Sequence, residues 1–247
     1  MIGIAGAMGE EVNKIKDLMK ISESTKIAGR TYYRGTINEQ DVVLVVTKIG
    51  KVSSAQGITT LIQTFGCDLI CFAGTAGAAA SELNVGDIVV GTSFVQHDMD
   101  LSPLGNPKFE IPVLGKIYFE AHKEIVKMGI DAAEKYIKVQ FKSDIAEDVA
   151  RSLQIYEPQV YNGTIASGDR FMADSIEVKE LAEKITNLKC VEMESAAAAQ
   201  VCYENDVPLL VIRIVSDKAD EHADIDFGKF VNEVAGVMLK GCIQNLI

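Results

Sequence analysis

The chain has 247 residues, 48% of them hydrophobic, with a formal net charge of −11 and a pI of about 4.8. That acidity argues against a nucleic-acid backbone or an anionic membrane as partner, because both call for a basic face. It suits a protein handling a neutral or cationic small molecule, and the length is enough for one sizeable core, so residues 1–247 are read as one domain.

Residues 2–5 read as a short buried strand with no basic leader before it. A helix is expected over 10–19, where Val12, Ile15, Leu18 and Met19 fall near the spacing of one apolar face. Residues 31–37 and 42–47 read as a hairpin around Asn38-Glu39-Gln40-Asp41. A helix over 51–65 should bury Val52, Ala55, Ile58, Leu61, Ile62 and Phe65. Residues 69–73 and 87–95 read as apolar strands. The stretch 96–115 holds Pro103, Pro107 and Pro112 and few apolar repeats, which marks a long loop of functional or interface type.

A helix is expected over 119–136, and the segment 138–158 has no functional reading. A strand over 160–166, helices over 175–184 and 195–205, and a strongly apolar strand over 208–215 follow. The last helix is amphipathic, carrying Phe227, Phe230, Val231, Val234, Met238 and Cys242. Strands alternating with helices imply an α/β three-layer sandwich, and the hairpin makes its central twisted sheet mixed.

Cys67, Cys71, Cys190, Cys202 and Cys242 are odd in number and lie mostly in apolar contexts. They read as buried thiols of a reducing compartment, with the cytoplasm as the default setting. No apolar run approaches the roughly 20 residues of a membrane span. His97, His122 and His222 show no zinc spacing, and His97-Asp98-Met99-Asp100 is too compact for a ligand set, so neither metal nor cofactor is expected. A Walker loop and a Gly-x-Ser-x-Gly elbow are also missing.

Five strand ends deliver polar residues to small-residue or helix-starting turns. Gly6-Ala7-Met8-Gly9-Glu10-Glu11 is the first. Its glutamates either cap the helix or face a ligand, and two negative charges there oppose a bound phosphate. Gly74-Thr75-Ala76-Gly77 allows close approach of backbone to a ligand, or forms a tight turn. In Ser167-Gly168-Asp169-Arg170-Phe171-Met172, Phe171 either lies against a flat ring or packs in the core. Val191-Glu192-Met193-Glu194 places two carboxylates at a strand-to-helix junction, as helix-dipole partners or as holders of sugar hydroxyls. In Arg213-Ile214-Val215-Ser216-Asp217, Asp217 reads as a helix cap or a site acid. Arg213 inside so apolar a strand needs a carboxylate partner.

Together with Lys48-Ile49-Gly50-Lys51-Val52 and Val85-Gly86-Asp87-Ile88-Val89, these segments run in the order of the 5′-methylthioadenosine/S-adenosylhomocysteine nucleosidases of the nucleoside phosphorylase superfamily. The chain resembles that family over nearly its whole length. The resemblance implies hydrolysis of an N-glycosidic bond in 5′-methylthioadenosine, S-adenosylhomocysteine and 5′-deoxyadenosine, releasing adenine, in methionine salvage and the recycling of S-adenosylmethionine by-products. It implies that Asp217 protonates the purine at N7, so that its carboxyl must hold a proton near neutral pH, with Ser216 holding the side chain. Glu194 would bind the ribose hydroxyls beside the Met193 backbone, held by Arg213. Glu11 would position and deprotonate the attacking water, near Arg213 and Thr75. Phe171 would stack on adenine and the Met172 backbone would read its edge.

By the same resemblance, Met8, Ile49, Leu101, Leu104 and Phe227 would line the pocket for the 5′-alkylthio group, and Ala76, Gly77 and Glu192 would complete the substrate site. A homodimer is implied, its 96–115 loop reaching the neighbouring site. Thr75 stands where serine is frequent and Leu104 where an aromatic is frequent. The competing readings are a purine nucleoside phosphorylase, an aminodeoxyfutalosine nucleosidase and a catalytically silent nucleoside-binding protein.

Overall fold

A computed structural model of the chain describes residues 1–219, 227–228 and 230–247; His222 lies outside them. Strand β1 (Ile2–Gly6) leads into helix α1 (Gly9–Lys16), followed by the antiparallel strands β2 (Lys20–Ile27), β3 (Arg30–Ile37) and β4 (Gln40–Val46). Next come α2 (Lys51–Gln63), β5 (Leu69–Ala78), β6 (Ile88–Gln96), the two-residue β7 (Phe119–Glu120), α3 (Lys123–Val139), α4 (Phe141–Asp144) and α5 (Glu147–Ser152). The chain continues through β8 (Val160–Ser167), α6 (Ser175–Lys184), β9 (Leu188–Glu192), α7 (Ser195–Glu204) and β10 (Leu209–Asp217). A π-helical turn over Val231–Ala235 then runs into α8 (Gly236–Leu246).

The strands form one mixed sheet in the order β10-β6-β8-β9-β5-β1-β4-β3-β2, and β10 also pairs with β5. Strands β5, β9, β8, β6 and β10 therefore close a ring, from which β1 to β4 extend. Within the ring β5 and β10 run parallel, as do β6, β8 and β9. The two groups meet antiparallel where β10 joins β6 and β5 joins β9.

Side-chain alternation splits the central strands β1, β4, β5, β6 and β10 chiefly between two cores. Ile4, Leu44, Cys71, Ala73, Val90 and Ile212 face α1, α3 and α8 in one buried cluster. Ala5, Val43, Val45, Phe72, Val89 and Val211 face α2 and α7 in another. With both faces covered, the central strands read as continuous apolar runs. Among the described residues no helix is long and apolar enough to cross a membrane.

Several expectations need correction. The first helix stops at Lys16, and Lys20 already opens β2, a strand not foreseen because its Lys, Glu, Ser and Thr side chains are largely exposed on the sheet's outer edge. Charged residues there block edge-to-edge pairing. Phe119–Glu120 is not helical; it pairs with β6, and the helix begins only at Lys123. Val52 is 80% exposed rather than buried, on the open side of α2. Gly74-Thr75-Ala76-Gly77 is not a turn but the end of β5, and Ser216 and Asp217 end β10. The segment 138–158 contains α4 and α5, and its Phe141, Ile145, Leu153 and Ile155 join the first core.

Candidate active site

The carboxyl ends of β1, β5, β9 and β10 converge on a cavity of about 360 Å³. Glu11, Thr75, Ala76, Gly77, Glu192, Glu194, Ser216 and Asp217 line it, with Met8, Ile49, Phe171, Met172, Met193 and Phe227 as its apolar wall. Ala7, Arg170 and Val191, not singled out from the sequence, line it too. Ala7 and Val191 carry no chemical signal that a sequence could show; Arg170 stood inside a motif already noted.

Glu11 sits in the first turn of α1, where it caps the helix start and lines the cavity. Its Oε2 accepts from the Ala7 and Met8 amides, each at 3.0 Å, which closes the helix start. Its Oε1 accepts from the Thr75 amide at 2.9 Å and the Thr75 hydroxyl at 3.1 Å, which ties it to β5. Burial raises the Glu11 carboxyl above the ordinary range, against the opposing pull of Arg213 and the Thr75 and Met8 amides.

Arg213 is fully buried in β10, its guanidinium 4.7 Å from the Phe72 ring centroid. It ion-pairs with both carboxylates: Glu192 is the closer partner, and Glu194, the partner expected, has its Oε2 3.8 Å away. Arg213 Nη2 also donates to Ser195 Oγ at 2.8 Å. Burial alone would lower the Arg213 pKa, but Glu192, Glu194 and Glu11 together raise it.

Glu192 further accepts from the Glu194 and Ser195 amides and from the hydroxyls of Ser195 and Ser167. It is a helix-starting carboxylate and the counter-ion of Arg213 at once. With those bonds its oxygens are committed to the protein, which runs against its expected place as a substrate ligand although it lines the cavity.

A Cβ on Gly74 would stand 1.8 Å from Arg213 Nη1 and 3.0 Å from Glu11 Oε1. The missing side chain is what lets the guanidinium and the carboxylate reach the same spot. Gly74→Ala should cost about 1–3 kcal/mol by overpacking, read as a lower urea midpoint. An unchanged midpoint would mean that Arg213 has room to move.

Glu194 precedes α7, and its Oε1 accepts from the Gly50 amide at 2.8 Å. Burial pushes its carboxyl up to about 8, with the neighbouring Glu192 adding to the rise. Between the ordinary 4.5 and about 8 the folded protein holds a proton that the unfolded chain has released. Stability from this group is therefore full below 4.5 and lost as pH rises through about 8. A glutamine side chain cannot ionise, so the melting temperature of Glu194→Gln relative to wild type should climb from pH 5 to pH 9. A constant difference across that range would show an ordinary carboxyl.

Asp217 is buried at the end of β10. Its Oδ1 accepts from the Ala219 amide at 2.8 Å, and its Oδ2 lies 2.7 Å from Ser216 Oγ. Ser216 Oγ is also 3.3 Å from the Ala76 carbonyl oxygen. Phe171 is 47% exposed and meets Phe227 edge to face, with centroids 5.8 Å apart. Leu101 and Leu104 do not line the cavity; they lie on and beside a short 3₁₀ turn, Ser102–Leu104, and Leu104 is 80% exposed. Among the described residues no group of His, Cys, Asp and Glu is arranged to hold a metal ion.

A family model described as the phosphorylase superfamily matches residues 1–244. A 5′-methylthioadenosine/S-adenosylhomocysteine nucleosidase of Haemophilus influenzae (strain PittEE) is 36% identical over 230 residues, covering 93% of this chain and 91% of the relative. The enzyme of the same description from Anoxybacillus flavithermus is 35% identical over 234 residues, 95% of this chain and 92% of its own. Among solved structures, the Neisseria meningitidis 5′-methylthioadenosine/S-adenosylhomocysteine nucleosidase in complex with methylthio-immucillin-A superposes with a TM-score of 0.86 at 29% identity, over 99% of this chain and 97% of that one. A futalosine hydrolase of Helicobacter pylori gives 0.82 at 31% identity, over 99% and 96%.

Proposed function

The chain belongs to the phosphorylase superfamily and, within it, to the 5′-methylthioadenosine/S-adenosylhomocysteine nucleosidases, and on that footing we propose that it hydrolyses the N-glycosidic bond of 5′-methylthioadenosine and S-adenosylhomocysteine. The products are adenine and the 5′-substituted ribose. The observation that carries this reading is the convergence of Glu11, Glu192, Glu194 and Asp217 on one cavity whose remaining wall is largely apolar.

Cleavage of such a bond passes through an oxocarbenium-like state, and a carboxylate-rich pocket stabilises its positive charge. Glu11 takes a proton from water as the oxygen attacks C1′. The Arg213 Nη1 donor, buried and without a hydrogen-bond partner among the described residues, stands beside Gly74 and supports a role in orienting that water. As the C1′–N9 bond breaks, its electron pair moves into the purine and Asp217 delivers a proton to N7, so adenine leaves neutral. Ser216 holds the Asp217 carboxyl and Glu194 holds the ribose hydroxyls. Phe171 stacks on the base, the Met172 backbone reads its edge, and Met8, Ile49 and Phe227 receive the 5′-alkylthio group.

The exposure of Leu104, away from its own cavity, supports a homodimer in which the 96–115 loop supplies Leu101 and Leu104 to the neighbouring site. Five free, buried cysteines support a reducing, cytoplasmic setting.

The deciding experiment incubates the purified protein with 5′-methylthioadenosine, with and without phosphate. Adenine and free 5-methylthioribose formed without phosphate are expected. A phosphate requirement with a ribose 1-phosphate product would instead make it a phosphorylase. The likeness to a futalosine hydrolase favours a second reading, the same chemistry on a nucleoside with another 5′ group; kcat/KM on the substrates side by side separates the two.

A further inference from the structure

Three segments meet beside the cavity: the start of α2, the end of β6 and the β8–α6 loop that carries Phe171 and Met172. Helix α2 has no capping side chain of its own, because Gly50 is its N-cap. Carboxylates from distant segments serve it instead. Gly50 N donates to Glu194 Oε1, and Lys51 N donates to Asp169 Oδ1, each at 2.8 Å. The Asp169 amide donates to Asp98 Oδ2 at 3.0 Å, and Asp98 Oδ1 pairs with Lys51 Nζ at 2.5 Å. Lys51, Asp169 and Asp98 thus close a three-membered ring of bonds.

Gly50 sits at φ +94°, where a side chain is strained, and a Cβ there would come within 3.0 Å of Asp169 Oδ1. The turn is built to let the Asp169 carboxylate come close. A helix N-terminus favours negative charge, and a carboxylate accepting from its amides forms charge-assisted bonds.

The consequence lies two residues further on. Phe171 follows Asp169 and is 47% exposed, so packing does little to fix it. The other carboxylate on the same helix end is Glu194. We propose that Asp169 is a positioning residue that locks the base-binding loop to the N-terminus of α2, so that the base platform and the ribose anchor are set from one helix end. The inference rests on the reading of the cavity as a purine nucleoside site. Both halves of the substrate are then registered against one rigid element, and a displacement of ~1 Å in such an arrangement can cost on the order of 10²-fold in rate.

The test compares wild type, Asp169→Ala and Asp169→Asn by calorimetric titration with adenine, by steady-state kinetics on 5′-methylthioadenosine and by thermal melting. Losing the charge-assisted bond should weaken adenine binding ~10-fold in the Ala variant. KM should rise by a similar factor, kcat should fall less, and the melting temperature should hardly move. Asn keeps an oxygen that accepts from Lys51 N and should bring adenine binding back to within ~3-fold of wild type. Unchanged adenine binding in Asp169→Ala would overturn the proposal, as would an Asn variant no better than Ala. Wild-type protein that binds adenine yet releases none from 5′-methylthioadenosine would sink the hydrolase reading and leave the Asp169 comparison intact. Wild type that does not bind adenine would overturn both.

Discussion

Asp217→Asn should lower kcat on 5′-methylthioadenosine at least ~100-fold, the lower end of what a positioned general acid contributes. Asparagine has no proton to give to N7, so adenine would have to leave as an anion. Its amide still fits these surroundings: Oδ1 can accept from the Ala219 amide, and the NH₂ can donate to the Ser216 oxygen, two of the groups that hold Asp217. The melting temperature should therefore stay close to that of wild type. Adenine release followed by absorbance gives the rate, and turnover near the wild-type value would remove Asp217 from the role of acid.

Arg213→Met should be the most destabilising of the changes considered, at about 3–5 kcal/mol. The guanidinium is fully buried and is the counter-ion of a Glu192 carboxylate that is itself buried. Methionine fills much of the volume but leaves that carboxylate without its cation. Adding Glu192→Gln to the Arg213→Met background should recover part of the loss, because the uncompensated charge disappears. Urea denaturation measures both. A loss below ~1 kcal/mol in the single variant would show that the Ser195 and Ser167 hydroxyls and the α7 amides suffice to hold Glu192.

The sequence made the middle of the sheet legible and its margins obscure. The helix expected over 175–184 is found at those bounds, and the Asp174 side chain caps its start. Strand β2 was hidden because an edge strand has no buried face to impose alternation. The ends of β5 and β10 were hidden for a different reason. Thr75, Gly77, Ser216 and Asp217 line the cavity and Gly74 lies against Arg213 and Glu11, so they lack the apolar signature of the strands they complete. The buried Arg213 announced that a carboxylate must face it. It pairs with the expected Glu194 and, more closely, with Glu192, which the sequence did not mark as its partner. The strand ends at Glu192, and Glu194, just beyond it, accepts from the Gly50 amide with one oxygen while the other faces Arg213. Leu101 and Leu104 mark another boundary, since they are not among the described residues that line the cavity.

The closed strand ring has a consequence for how the molecule is made. Strand β5 pairs with β10, whose residues are about 140 positions later in the chain, and its other ring partner, β9, is nearly as distant. During synthesis the apolar β5 must therefore wait, with one edge unpaired, for most of the remaining sequence to emerge. Such non-local closure is slow, and an exposed apolar edge in the meantime invites association between chains. The N-terminal meander of β2, β3 and β4 has only local pairings and can form early, whereas the site assembles when β10 docks. Refolding should accordingly show secondary structure well before adenine-binding competence, and its yield should fall as protein concentration rises.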